Sequence, residues 1–510
     1  MRAAALALGL AALASPAAAQ RGDPLRGLDA YVTQAMKDWE VPGLALAVVK
    51  DDSVVFMRGF GVRTLGTGEA VDTHTSFSAA STTKAFTAAA LGMLVDEGRV
   101  RWDDPVVRHL PSFRTADPHL TGEITVRDLL THRTGLPTED FLWYASPNSS
   151  ADILHRLRWV RPFAPVRTQY RYNNNAYLLA GLVVEAASGT SWHDFVRTRI
   201  LEPLGMRETL TGYRGLDRRG NTATPHLEVN DTIRPIAYRD FDNIAPAGSM
   251  NTSVHDMVRW IRFHLDSARV GGRRLLSDSV HRELLTPQFI IPAQAYYPAA
   301  RLAKPNFRAY GLGWFMQDYR GRKLAMHTGS IDGMTALVAL VPEERLGFVV
   351  FANLDHAELR HALMYRVVDA YTGAPPRDWS TELRALYHPP GREEAQRRER
   401  EQMEAARPAD TRPSLPLEAY AGRYTDPDSL FGTFTIRIED GKLMAAFSPL
   451  FTGTLEHWAY DTFRARWADP SLGTSFLAFT ISPTGRAMRV EVQDVGGFER
   501  APDPEGEGDP

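Results

Sequence analysis

Ser81 and Lys84 stand three positions apart, a spacing that puts a hydroxyl and an amine on one face of a helix. A serine hydroxyl is too weakly acidic to attack a carbonyl unaided, but a lysine whose proton affinity is lowered by desolvation can take its proton. The same spacing also serves a helix N-cap followed by a solvated lysine, so the pair needs company. Two later segments supply it. Tyr172-Asn173-Asn174 precedes the apolar run 177–184, which places a phenol and an amide at a loop-to-helix junction. His327-Thr328-Gly329-Ser330 lies at the end of a strand pattern and finishes in small residues, leaving room for another chain to pair with the strand edge.

Together the three segments resemble the signature elements of the penicillin-recognising serine hydrolases, Ser-x-x-Lys, Tyr-x-Asn and Lys/His-Thr-Gly, in the family's order and spacing. The stretches 124–137, 247–253, 310–314 and Phe351-Ala352-Asn353 are similar to further segments of that family. The resemblance spans residues 25–375 and is nearest the branch of class C β-lactamases, D-aminopeptidases and esterases. It implies Ser81 as the acylated nucleophile, Lys84 as its general base and Tyr172 as a proton shuttle to the leaving group. It further implies Asn174 as a partner of a substrate amide, and Thr328 and Gly329 along the substrate-binding edge. The backbone N–H groups of Ser81 and Ser330 would form an oxyanion hole, and Asn353 would face a substrate carboxylate. Histidine at 327 departs from the lysine that β-lactamases of this fold usually carry to hold a cation beneath the substrate carboxylate. Imidazole is mostly neutral at pH 7 unless paired, which favours D-amino peptides or esters over β-lactams. A strand-end histidine also serves simply to complete a hydrogen bond. Asp128 and His132 are expected to tie the helical part of the domain to its sheet rather than to touch substrate.

The surrounding elements must position these groups. Leu25, Leu28, Val32, Ala35, Met36 and Trp39 recur at helical spacing before Pro42-Gly43, and the apolar runs 44–49 and 54–57 around Asp51-Asp52 predict a hairpin. Ser81 opens an apolar helix stopped by Gly98. Helical pieces and proline-bearing loops fill 105–300, an inserted helical lobe, and strand patterns return at 323–326, 335–341 and 347–351. A sheet drawing on both ends of the domain and covered by helices is an α+β fold: an antiparallel sheet flanked by helices, with an all-helical lobe. A charged linker at 376–414 leads to short alternating strands at 415–502, which resemble the small lipocalin-like β-barrel domain that often follows such hydrolases. Phe431, Phe434, Phe447, Phe451 and Trp458 would line a ligand cavity there or, as is commoner, fill the barrel interior. Residues 503–510 read as a disordered acidic tail.

A chain of 510 residues with 44% hydrophobic and 23% charged residues has the composition of a folded soluble protein of more than one domain. The net charge of −3 gives no field to gather nucleic acid. Arg2, the apolar run 3–14 and Pro16-Ala17-Ala18-Ala19-Gln20 fit a secretory leader cleaved after Ala19. The apolar stretch is shorter than the roughly 20 residues a spanning helix needs, so no stable membrane anchor is expected. The sequence contains no cysteine, which closes thiol nucleophiles, cysteine-ligated zinc and disulfides. No Gly-x-Ser-x-Gly elbow, His-Glu-x-x-His helix or phosphate loop occurs. The expected protein is a periplasmic or secreted acyl-enzyme hydrolase of small peptides, amides or esters that needs no metal or organic cofactor. A β-lactamase and a catalytically silent scaffold of the same fold are the rival readings.

Overall fold

The computed structural model describes residues 23–502 apart from Asn230 and Ser429. The leader 1–19 and the tail 503–510 lie outside the described residues. Helix α1 (Leu28–Asp38) buries the apolar stripe that its spacing predicts, Leu28, Val32, Ala35 and Met36. Strands β1 (Gly43–Lys50) and β2 (Ser53–Gly61) form the expected hairpin. Asp51 and Asp52 turn it with φ of 49° and 68°, a left-handed conformation that aspartate tolerates better than most residues.

The remaining strands of the main sheet come from the other end of the domain: β3 (Phe289–Ile290), β4 (Arg308–Tyr310), β5 (Phe315–Tyr319), β6 (Arg322–Ile331), β7 (Met334–Val341) and β8 (Leu346–Ala352). They join in the order β2-β1-β8-β7-β6-β5-β4-β3, antiparallel throughout, with Leu44 opposite Ala352 where the two ends of the domain meet. Both faces are covered. Ala45, Ala47 and Val49 pack into one core with helices α2 (Thr83–Asp96), α3 (Asn174–Ser188) and α4 (Val254–Leu265) of the inserted lobe. Leu44, Leu46 and Val48 pack into a second core with α1, α5 (Leu359–Thr372) and α6 (Trp379–Tyr387). A strand buried on both faces needs no polar alternation, which is why β1, β7 and β8 read as continuous apolar runs.

The motif His327 to Ser330 forms the end of β6, as expected, and the strand runs on only to Ile331. One expectation is corrected. The expected linker at 376–414 begins with α6, whose Trp379 and Leu383 are fully buried in the second core. Trp379 stacks on Tyr365, centroids 4.6 Å apart, and donates from its indole to Asp369 at 2.7 Å. The charge pattern marked instead the exposed helix α7 (Arg392–Ala405), which buries no residue.

Beyond α7 the chain forms a closed eight-stranded barrel, β9 (Gly422–Thr425), β10 (Thr433–Glu439), β11 (Lys442–Ala446), β12 (Thr452–Ala459), β13 (Thr462–Trp467), β14 (Thr474–Ile481), β15 (Ala487–Val492) and β16 (Gly496–Arg500). Phe434, Phe447 and Phe451 line a cavity of about 310 Å³ at its mouth together with Phe141 and Tyr144 of the lobe. Phe431 packs edge-on against Phe141. Trp458 stands elsewhere, against Phe476 and beneath the guanidinium groups of Arg407 and Arg464. The barrel is docked on the lobe by these rings and by Arg239, which reaches Asp469 at 2.8 Å and Ser471 at 2.7 Å. No helix among the described residues is long and apolar enough to cross a membrane.

Because Trp379 completes the second core, Trp379→Ala should lower unfolding free energy by about 3–5 kcal/mol, measured by chemical denaturation. A loss below about 0.5 kcal/mol, the range of surface substitutions, would return α6 to the linker.

Candidate active site

Ser81 sits in a 3₁₀ turn, Ala80–Thr82, that runs directly into α2. The turn is held from behind by a two-residue ladder, Phe77–Ser78 against Asn251–Thr252, and by the Ala79 N–H donating to Met250 O at 2.8 Å. Ala80 has φ 45°, a left-handed conformation that costs a non-glycine residue free energy and persists only when its surroundings impose it. The nucleophile therefore projects from a strained, tightly braced corner.

Helix α2 is apolar on all sides and buried from Thr83 to Leu94, so Lys84 has no route to solvent. Its Nζ lies 3.0 Å from Ser81 Oγ, 2.8 Å from Asn174 Oδ1 and 2.8 Å from the Ala247 carbonyl oxygen. Two aromatic faces close the remaining space, Tyr172 and Tyr177, with centroids 4.9 and 5.3 Å from Nζ. Burial pushes the amine well below the ordinary lysine range, opposed by the charge of Asp140. A neutral amine has two N–H groups and one lone pair. Asn174 Oδ1 and Ala247 O can only accept, so they take the two N–H groups, and the lone pair is left for the Ser81 hydroxyl, which can donate.

The Tyr172 hydroxyl lies on the Ser81 side of the site, and burial pushes its phenol well above the usual range, with the Ser81 contact opposing. It stays protonated. The ring is held by His132, centroids 4.2 Å apart, and His132 Nδ1 accepts the Asn173 N–H at 3.1 Å. Burial keeps His132 well below the ordinary histidine range. Asp128 accepts from Thr125 in a capping box and pairs with Arg133 and Arg167 at 2.6 and 2.7 Å. Both residues thus brace the 125–137 segment behind Tyr172. Asn173 caps α3, accepting the Ala176 N–H at 3.0 Å, and so aims Asn174 at Lys84.

The carboxamide of Asn174 is engaged on both sides: its Oδ1 accepts from Lys84 while its Nδ2 donates to Asp140 Oδ1 at 3.3 Å. These contacts make Asn174 the residue that holds Lys84. Asp140 also accepts from the Trp143 indole at 2.7 Å, and burial raises its carboxyl above the usual range while the Trp143 and Asn174 contacts and Lys84 oppose. Sequence reading missed Asp140, since an acid in a loop 34 residues before Asn174 carries no local signal.

Strand β6 passes across the nucleophile. A Cβ on Gly329 would fall 2.5 Å from Ala79 O and 3.1 Å from Ser81 N, so only glycine permits the approach. Arg360, fully buried, donates to Gly329 O and to Ser330 Oγ at 2.9 Å and is neutralised by Glu358 at 2.9 Å. Thr328 Oγ1 is bonded to the Tyr297 hydroxyl at 2.7 Å. His327 is buried and both ring nitrogens are used: Nδ1 lies 2.7 Å from Thr328 O and Nε2 2.7 Å from the Tyr310 hydroxyl. A carbonyl cannot donate, so Nδ1 carries the hydrogen and Nε2 accepts from the phenol. Burial, with the nearby Lys84 and Arg360 charges, pushes the imidazole down to about 3, and it is neutral. Asn353 is not at the site. Its Nδ2 donates to Val62 O and Arg63 O at 3.2 and 2.8 Å, which ties the end of β8 to the loop after β2.

The Beta-lactamase family model matches residues 28–372, and a second family, described as a domain of unknown function (DUF3471), matches 406–506. The chain is similar to the unguisins hydrolase ungD of Aspergillus violaceofuscus, 29% identical over 518 residues, covering 94% of this chain and 90% of that one. Its fold is similar to the octameric penicillin-binding protein homologue of Pyrococcus abyssi, with a TM-score of 0.62 at 21% identity, covering 93% of this chain and 99% of that one. It is also similar to SurE in its crystal structure with D-Leu, with a TM-score of 0.53 at 21% identity, covering 94% and 99%.

Two substitutions test the geometry. Gly329→Val should abolish labelling of Ser81 by a fluorophosphonate while leaving the circular dichroism spectrum unchanged, and undiminished labelling would refute the close approach. Asp140→Asn removes a charge that holds the Lys84 pKa up. Since the base must be neutral and activity falls as pH drops through its pKa, the acid limb of the kcat/KM profile should move to lower pH. A move to higher pH would contradict the coupling.

Proposed function

The chain belongs to the Beta-lactamase family and is a serine hydrolase, and from that premise we propose that it hydrolyses peptides or amides containing D-amino acids through an acyl-enzyme on Ser81. In this reading the Lys84 amine takes the Ser81 proton as Oγ attacks the substrate carbonyl, and the backbone N–H groups of Ser81 and Ser330 receive the charge that develops on its oxygen. The Lys84 ammonium then returns a proton through Tyr172. The phenol gives its own proton to the departing amine and takes one from the lysine, so it ends as it began. Water repeats the sequence against the acyl-enzyme, releasing the acid and restoring the Ser81 hydroxyl.

Neutral His327 carries the choice of substrate. With both nitrogens engaged inside the protein it offers no cation to the fixed carboxylate of a β-lactam. Beside Tyr172 a cavity of about 700 Å³, lined by Tyr170, Tyr297 and Phe315, suits apolar side chains of a peptide. A relative named for hydrolysing unguisins and a fold neighbour crystallised with D-Leu agree with this class. Export to the periplasm or medium belongs to the same reading, from the leader motif at 1–19, and N-terminal sequencing of the secreted protein should begin at Gln20.

Assay of the mature protein on D-amino-acid amides, their L-enantiomers, short-chain esters and a chromogenic cephalosporin tests the proposal. The D-amides should be turned over fastest and Ser81→Ala should abolish all activity, with Tyr172→Phe slowed by roughly 10²–10⁴-fold on amides. Faster hydrolysis of the cephalosporin would make the protein a β-lactamase, and preference for esters an esterase.

A further inference from the structure

We propose that His74, His255 and Glu208 form a zinc site behind the nucleophile, separate from the acyl-transfer machinery and independent of the substrate assigned above. The three residues come from different elements: His74 from the segment leading into the Phe77–Ser78 ladder, Glu208 from a loop of the lobe, and His255 from the first turn of α4. One ligand atom from each lies within 4.8 Å of the others. His74 Nδ1 is 2.7 Å from Glu208 Oε1, and His255 Nδ1 is 3.5 Å from Glu208 Oε2. These separations bracket the ~3.3 Å between donors around a tetrahedral ion with bonds of about 2.0–2.1 Å. The imidazole rings stand with centroids 4.2 Å apart and planes at 42°.

The chemistry of the set selects the metal. Two imidazoles and one carboxylate suit zinc rather than calcium or magnesium, which take all-oxygen shells. Partial exposure of all three side chains leaves water for the remaining position and a route for entry. An outer layer orients the carboxylate: Ser253 Oγ donates to Glu208 Oε2 at 2.7 Å and the Glu208 N–H donates to Asp256 Oδ2 at 2.8 Å. Such second contacts fix ligand geometry. The charged groups that border the site are Asp72, which accepts the His74 N–H at 2.8 Å, Asp256, and Arg259. Arg259 lies 3.4 Å from His255 Nδ1 and is anchored by the His255 carbonyl at 2.6 Å and by Asp256 at 3.3 Å. Three carboxylates against one guanidinium leave the pocket negative for a cation.

The site would staple together the elements that brace Ser81. His255 N–H already donates to Thr73 O at 3.1 Å, and Phe77 pairs with Thr252. An ion on His74 and His255 would lock that junction from outside.

The test uses tag-free full-length mature protein stripped with a chelator and titrated with zinc by calorimetry. One zinc per chain should bind, His74→Ala and His255→Ala should each weaken it at least ten-fold, and zinc should raise the unfolding midpoint of the native protein but not of the double variant. Cobalt in place of zinc should give visible d–d absorption in the native protein, a readout that needs no variant. No binding above the double variant, affinity unchanged by either histidine substitution, or the lack of a cobalt spectrum would overturn the proposal.

Discussion

An amine with no exposed surface sits 3.0 Å from the Ser81 hydroxyl, and the cost of charging it there governs the rest of the site. Burying one ion in a protein interior costs several kcal/mol, and neutralising an ordinary lysine at pH 7 takes about 5 kcal/mol, so the two are of one order. Among the described residues no carboxylate touches Nζ to offset the burial. Its partners are a side-chain amide, a main-chain carbonyl and two aromatic faces. The all-apolar character of α2, which in another fold would only mark a core helix, is what makes Lys84 a base.

The same economy of charge runs outward from the site. Tyr172, half-buried, and His327, buried, sit among rings and are held neutral, one as a phenol and the other as an imidazole between Thr328 O and the Tyr310 hydroxyl. The buried cation against β6, Arg360, is cancelled by Glu358 and directs hydrogen bonds to the backbone of the strand that crosses Ser81. At the far side, Asp140 links Asn174 to a loop whose next residue, Phe141, packs on Phe431 and Phe451 of the barrel. The barrel is therefore joined to Lys84 through three residues, Phe141, Asp140 and Asn174.

Much of this was legible because the signals are local. Ser81 and Lys84 are one helical turn apart, Asn174 opens an apolar helix, and Gly329 stands in a strand, so type and spacing alone put them in plausible places. The hairpin and the paired apolar strands followed from runs of β-formers broken by Asp51-Asp52 and Pro342-Glu343. What escaped depends on contacts distant in sequence. Asp140 and Arg360 have no motif, and the pairing of His74 with His255 exists only because two segments some 180 residues apart meet in space. Asn353 was expected at the substrate because a buried amide whose nitrogen is held by backbone carbonyls looks, in sequence, like one that faces a ligand. Helix α6 was read as linker because charge density nearby outweighed Trp379 and Leu383.

The central claim is that Lys84 is a neutral amine at the pH of catalysis, and a carbon-13 titration of lysine Cε in the mature protein tests it most directly. The other lysines, at 37, 50, 304, 323 and 442, leave a sparse spectrum in which Lys84→Met identifies the signal. The account predicts that this signal keeps its neutral-amine shift at pH 7 and moves only in acid. A Lys84 signal that stays at the ammonium position up to pH 9 would contradict it.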